Sequence, residues 1–376
     1  MNGWDRRRER GGAVPSYAVR VLAVFATGIL VMAAVLVGTR LVPARSAAEA
    51  DPLELGDGYF TVVDENGQTI LTTGLGVSVG DEFWAEDNRV YVVESVTGNV
   101  ARANFERIED LGSYLPAATG HVGAAARPFV GIYHTHGDES YIPSDGAAAI
   151  DDHGGVYDVG RSLAGALQQA GLPVIHDQAV HLPHDAAAYH RSRRTAVDLV
   201  RQGAQVLFDV HRDTGPASEY RRTVDGVPVT QVMLVVGRQN PGMANNLAFA
   251  RAIKAVADRQ APGLIRGIFY AHGNYNQDLS PRLLLLEVGD DHNTKEHAEN
   301  GAAVLGSILP AVLNSPGLWR AQERSSWSTL FWLAMAVVLG GGTYLVIASG
   351  GVLPAAARLR RVVSTFREGI RTRRLS

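Results

Sequence analysis

The chain has 376 residues, no cysteine, 46% hydrophobic residues and 19% charged ones, a charged share below the roughly 25% of ordinary soluble domains. That is enough apolar sequence for more than one folded unit, which excludes a disordered tail, and the lack of cysteine excludes a disulfide-stapled scaffold. Residues 1–20 hold five arginines against two acids and residues 358–376 seven against one, so with the whole chain at −3 the stretch 21–357 is left at −12; that excludes a nucleic-acid binder, which needs its positive charge on the folded surface.

In chain order, the first feature is Val21–Gly38, 18 uncharged residues between Arg20 and Arg40. A bilayer needs about 20 apolar residues, and a signal-peptide core has about 7 to 15. We read a transmembrane helix over 21–40 after a cytoplasmic N-terminus, 1–20. The alternative is a cleaved signal peptide, with the small residues of SAAEA at 46–50 offered to a peptidase. Residues 41–54, rich in alanine, proline and charge, read as a linker.

From 55 to 110 short β-branched and aromatic runs (YFTVVD, TILTT, GDEFW, RVYVVESV) alternate with turn residues, and Asn66-Gly67 is a strong hairpin signal. This is a small all-β module. Its Gly76-Val77-Ser78-Val79-Gly80 matches the nucleophile elbow of serine hydrolases formally, but that elbow needs a turn from strand into helix, and strand-like residues follow. Residues 106–127 form a connection. A domain over 125–312 then alternates strands (129–134, 172–177, 204–211, 228–237, 265–271, 282–289) with helices (156–170, 186–202, 241–259, 294–309). The near-continuously apolar VLFDV and LLLLEV predict strands buried on both faces. The fold class expected is therefore α/β, a mixed or mostly parallel sheet covered by helices, preceded by the β module and flanked by two transmembrane helices.

The second flank is Trp327–Ala357, 31 residues without charge, read as a transmembrane helix over 328–350 with a basic tail, 351–376. Keeping both arginine clusters in the cytoplasm requires everything between the helices to be outside. The localisation expected is a two-pass bacterial cell-membrane protein with both termini cytoplasmic and its catalytic domain extracytoplasmic.

In α/β sheets chemistry gathers at the carboxyl ends of strands. The first strand ends in His134-Thr135-His136-Gly137-Asp138-Glu139, the third in Asp209-Val210-His211-Arg212-Asp213, and the sixth holds Glu287 after four leucines. His136, Glu139 and a distant His211 fit a three-ligand metal site with an open water position. His134, two residues before His136, is an alternative ligand, or supports the ligands or touches substrate. Glu287, a carboxylate in a buried strand, suits a general base. Bland readings stand beside these: His211 as a satisfied core histidine, Glu287 as the partner of Arg212 or Arg282. His153, His181 and His184 fall in loops and read as solvated, while Asp290-Asp291-His292 adjoins the candidate base.

IYHTHGDESY at 132–141, DVHRDT at 209–214, VVGRQNPG followed by Asn245 and Asn246, and YNQDLSPRLLLLEVGDDHNTKEHA at 275–298 together resemble the stage II sporulation protein P family. The resemblance covers residues 128–310 well and the β module loosely. It implies a zinc-dependent N-acetylmuramoyl-L-alanine amidase with a fold similar to zinc carboxypeptidases, cutting between the muramic acid lactyl group and the first L-alanine of the stem peptide. The ligands it implies are in HTHGDES and at His211, with Zn2+ as cofactor and Glu287 as the catalytic glutamate; the carboxypeptidase-like HxxE pair favours His136 over His134. Arg212, Asn276 and Asn293 match characteristic positions, as substrate contacts or as supports of the site. Two departures are visible. Gly137-Asp138 stand where the family has threonines, and the second membrane segment is added to the usual single anchor, which leaves a role outside spore formation open. The partners implied are peptidoglycan and a wall-remodelling or sporulation complex. Two alternatives remain, a zinc endopeptidase acting on crosslinks and an idle wall-binding scaffold.

Overall fold

A computed structural model describes residues 53–55, 58–115, 127–185, 187–315, 344 and 346–351. The unit Asp51–Gln322 holds all the elements named below; of the other unit, Met1–Ala50 with Glu323–Ser376, only Tyr344 and residues 346–351 are described, with a helical turn through 346–349. The expected membrane segments at 21–40 and 328–350, that turn aside, and both basic ends lie outside the described residues. Among the described residues no helix is long and apolar enough to cross a membrane.

The strands are β1 (Phe60–Val63), β2 (Thr69–Thr73), β3 (Glu82–Ala85), β4 (Arg89–Thr97), β5 (Val100–Ile108), β6 (Val130–Tyr133), β7 (Val174–His176), β8 (Val206–Asp213), β9 (Arg221–Val224), β10 (Val227–Thr230), β11 (Val232–Gly237), β12 (Ile265–Ala271) and β13 (Leu283–Asp290). The helices are a single turn, α1 (Ile142–Asp145), then α2 (Val156–Gln169), α3 (Ala188–Arg201), α4 (Met243–Gln260) and α5 (Lys295–Leu313). Eleven strands form one sheet in the order β2-β1-β5-β4-β3-β12-β11-β13-β8-β6-β7, and β9–β10 form a separate hairpin.

The sheet is mixed, as expected. β13, β8, β6 and β7 run parallel, as do β11 and β12, while β11 is antiparallel to β13. Among its described residues the β module holds no α-helix, and its hairpin turns at Asn66-Gly67, where Asp64 Oδ1 accepts from the amides of Asn66 and Gln68. These strands continue the main sheet, because β3 pairs antiparallel with β12. At that seam a Cβ on Gly267 would stand 2.4 Å from the Trp84 carbonyl oxygen, so the close approach needs glycine. After Gly80 the chain enters β3 rather than a helix, so GVSVG is no nucleophile elbow.

The expected strand at 228–237 is in fact two, broken at Gln231. The Gln231 amide donates to Tyr220 O and its side chain to Glu86 and Gly263 O, which turns β10 out of the sheet. β10 pairs with β9 through Asp225-Gly226, both at positive φ, the conformation that two-residue hairpin loops favour.

Period two assigns the faces. Leu284, Leu286, Val206, Phe208 and Val210 join the core under α2, α4 and α5, whereas Leu283 and Leu207 pack with Ala196 and Leu199 of α3. Each fully buried leucine contributes about 1.5–3 kcal/mol. The same alternation sets Asp209, His211 and Glu287 on the α3 face, where polar groups gather at the strand ends.

Candidate metal centre

Glu287 and His211 are directly opposite in the β13–β8 register, and the turn after β6 brings His136 and Glu139 above them. His136, Glu139 and His211 converge, and a fourth residue joins them: Glu54, from the expected linker. One donor atom from each lies within 4.8 Å of the others. His136 Nδ1 is 2.8 Å from Glu54 Oε2 and 3.6 Å from Glu139 Oε1, and His211 Nδ1 is 3.3 Å from Glu139 Oε1.

Glu139 and His211 each have a polar group set behind them. The Arg212 amide donates to Glu139 Oε2 at 2.9 Å, leaving Oε1 for the imidazoles. His211 Nε2 faces Asp209 Oδ1 at 3.1 Å, and Asp209 is itself fixed by the Thr135 amide and hydroxyl. A carboxylate behind an imidazole fixes which nitrogen faces forward. Neither nitrogen of the buried His136, nor Nε2 of His211, has a hydrogen-bond partner of good geometry.

The field at this point favours positive charge. Burial raises the Glu139 carboxyl, yet His211, His136 and Arg212 outweigh it and hold the group far below the usual range. Glu54 is likewise lowered, by His136 above all, against its burial. Burial would lower His136 and His211; Glu54 and Glu139 raise the first, Asp209 and Glu139 the second. Two carboxylates and two imidazoles around one point could hold a divalent transition metal.

His134 is turned away. Its Nδ1–H donates to Val210 O at 2.8 Å, since a carbonyl can only accept, and its Nε2 is left to accept from His176 Nε2 at 2.8 Å. Burial, then His176, pushes its pKa well down, so it is neutral. Glu287 lines a cleft of about 300 Å3 with Glu54, Asp138, Glu139, His184 and Arg212. Its Oε2 is buried without a partner, and burial, reinforced by Asp213, raises its pKa well above the carboxylate range despite His211. Arg212 spends its guanidinium on Ser140 O, Ala148 O, Asp213 O and Thr214 Oγ1, holding the loop that roofs the cleft.

Asn276 and Asn293 are braces. Asn276 Nδ2 donates to Tyr189 O and Ser192 Oγ on α3; Asn293 Nδ2 donates to Ala217 O while its Oδ1 accepts from the Asp290 amide. Two loop histidines expected to be solvated are not. His181 is buried, donating from Nδ1 to His134 O and accepting at Nε2 from Thr195. His184 stacks on His136 with ring centroids 3.9 Å apart, and its Nδ1 is 3.1 Å from both Asp138 oxygens. Burial opposes its charge, but Asp138 and Glu54 push its pKa up to about 10. His153 is exposed and stacks on Tyr157. Asp290, Asp291 and His292 form a second group of donors within 4.8 Å, open to solvent at His292.

The Gly137-Asp138 departure becomes intelligible here. A Cβ on Gly137 would stand 2.0 Å from the Tyr157 hydroxyl, and Asp138 pairs with His184 rather than joining the four central donors.

A family model for stage II sporulation protein P matches residues 94–310. Stage II sporulation protein P of Bacillus subtilis (strain 168) is 29% identical over 216 residues, 52% of this chain and 53% of that protein, so the match spans about half of the relative's length. Among solved structures, the N-acetylmuramyl-L-alanine amidase Ami1 of Mycobacterium smegmatis is 14% identical, covering 49% of this chain and 96% of that one, with a TM-score of 0.35. The CwlD amidase of Clostridioides difficile, solved with the GerS lipoprotein, is 12% identical, covering 51% and 99%, with a TM-score of 0.35.

Proposed function

The chain belongs to the stage II sporulation protein P family, and from that premise we propose that it is a zinc-dependent peptidoglycan hydrolase, cutting the amide between the muramic acid lactyl group and the first L-alanine of the stem peptide. The observation that carries this reading is the convergence of His136, Glu139 and His211 beside Glu287. Two ligands about 2.0–2.1 Å from a tetrahedral zinc are about 3.3 Å apart; the imidazole–Glu139 separations are 3.3 and 3.6 Å.

His136, Glu139 and His211 would hold the ion. The chemistry supplied there is Lewis acidity, which makes water acidic and polarises an amide carbonyl. Asp209 keeps His211 Nδ1 forward, and the Arg212 amide keeps Glu139 aimed. Glu287 takes the proton of the attacking water and returns it to the departing L-alanine nitrogen; its raised pKa favours that return. The cleft beside these groups receives the lactyl and alanyl ends of the substrate. The apolar segments 21–40 and 328–350 hold the chain in a bacterial cell membrane, termini inside and the intervening domain facing the wall, where a wall-remodelling or sporulation complex is its setting.

The test is the full chain and its Glu287→Gln variant on purified sacculi. Glutamine keeps the size of the side chain and removes the proton acceptor. Zinc content and melting should hold while release of stem peptides falls about 10²- to 10⁴-fold. Hydrolysis near the wild-type rate would refute Glu287 as the base, and loss of zinc would make it a ligand. Products with free N-terminal L-alanine are expected; opened crosslinks with the lactyl amide intact would make the chain an endopeptidase.

A further inference from the structure

A hydrolytic zinc site needs three protein donors and one position left for water and substrate; a fourth protein donor closes it. Glu54 is such a donor, with Oε2 2.8 Å from His136 Nδ1. It also arrives differently from the other three. His136, Glu139 and His211 stand on or after central strands, with Glu139 held by the Arg212 amide and His211 set against Asp209. Glu54 lies ahead of β1, where residues 53–55 pair beside Leu75 through two backbone hydrogen bonds, Leu55 N to Gly74 O and Gly76 N to Leu53 O, both 2.8 Å. Leu53 and Leu55 are only half-buried against the core. The Tyr189 hydroxyl donates to Glu54 Oε1, and His184 Nε2 is 3.6 Å from Oε2. With the segment gone, both groups would face the emptied position. A carboxylate is also what amide hydrolysis leaves on the lactyl side, so Glu54 presents the centre with the shape and charge of a product.

We propose that Leu53–Leu55 is a displaceable arm that closes the site: the Glu54 carboxylate fills the substrate position, and Tyr189 and His184 turn from it to the oxygen of the scissile amide when the arm leaves. The proposal rests on the zinc-centre reading above. It makes the described form a resting one, released by whatever draws residues 53–55 off the Gly74–Gly76 edge.

The experiment uses the full chain as wild type, Glu54→Gln and Leu53→Ala, the last loosening the arm without touching a donor. Zinc stoichiometry, affinity for acetohydroxamate as a zinc-binding probe, and stem-peptide release from sacculi are measured on each. All three should bind one zinc. Both variants should bind acetohydroxamate about tenfold more tightly and hydrolyse faster, because a site closed about nine-tenths of the time loses apparent affinity by that factor. Tyr189→Phe on the Glu54→Gln background should give back about tenfold in probe affinity, the worth of one hydrogen bond; unchanged affinity would remove Tyr189 from the proposal. Unchanged probe affinity in Glu54→Gln and Leu53→Ala overturns the arm. So does Glu54→Gln that loses zinc or hydrolysis, which would make Glu54 a permanent ligand or the base. A wild-type chain that binds no zinc defeats the metal centre itself, an outcome separate from any of these.

Discussion

Asp213 ties the N-terminal strands to the end of β8, and its removal should be felt well beyond its size. Its Oδ1 accepts from Thr73 Oγ1 at 3.0 Å, from the Gly74 amide at 2.7 Å and from the Thr214 amide at 2.8 Å, and its Oδ2 from the Tyr220 hydroxyl at 2.7 Å. Alanine strands four donors, each worth about 1–3 kcal/mol when left unsatisfied in the interior. Two effects offset the sum. Asp213 lines the cleft, so water can reach some of those donors, and burial raises the carboxyl's pKa against Tyr220, Arg266 and the amides of Gly74 and Thr214, so keeping it ionised is itself costly. We expect a net loss of about 3–4 kcal/mol for Asp213→Ala, near the low end of the sum. For a unit of this size that is about 5–7 °C in Tm. Asparagine keeps Oδ1 for three of the donors and disturbs only the Tyr220 contact, a loss of about 1 kcal/mol. Scanning calorimetry of the zinc-free full chain separates the two. Equal falls for both variants, or a fall below about 3 °C for alanine, would show that the hydrogen bonds to Asp213 do not hold the strands together.

Three further outcomes are expected. His211→Ala should strip zinc, measured by metal analysis of the purified chain, whereas His134→Ala should keep it and lose about 1–3 kcal/mol with its two hydrogen bonds; the reverse pattern would exchange their roles. The imidazolium of His184 has an ordinary pKa of 6.5 when unfolded and about 10 when folded, so its contribution to stability is whole below pH 6.5 and lost as pH rises through about 10. Denaturant melts of the zinc-free chain across that window should show the alkaline decline, and His184→Ala should flatten it; an undiminished decline would assign it elsewhere. Reporter fusions at position 200 and at the C-terminus should report opposite compartments, and a shared one would end the two-span arrangement.

The α/β half was legible because its signals are local and strong. Four leucines ahead of Glu287 fill both faces of one strand, and the periods of α2 to α5 place each helix end within four residues of where it is found. What could not be read depends on contacts between distant parts of the chain. Glu54 sits in a stretch of alanine, proline and charge whose local pattern says only linker, and its approach to His136 follows from the bridge to Leu75, which no periodicity announces. The break at Gln231 comes from side-chain hydrogen bonds to Glu86 and Gly263, on other elements.

His184 had a signal, and it lay in the other half of the pair. A carboxylate at 138, beside the histidines of HTHGDE, calls for a cation, and the histidines of HLPH at 181–184 were the candidates at hand. The structure makes Gly137 and Asp138 two independent accommodations rather than one loosened motif. Threonine at 137 would drive its Cβ into the Tyr157 hydroxyl, and threonine at 138 would leave His184 stacked on His136 without its nearer anion. Restoring the family's residues one at a time should therefore damage this chain at two different places, the packing of α2 at 137 and the charge balance of the cleft at 138. A departure from a family pattern is read correctly only together with the residue that it was made for.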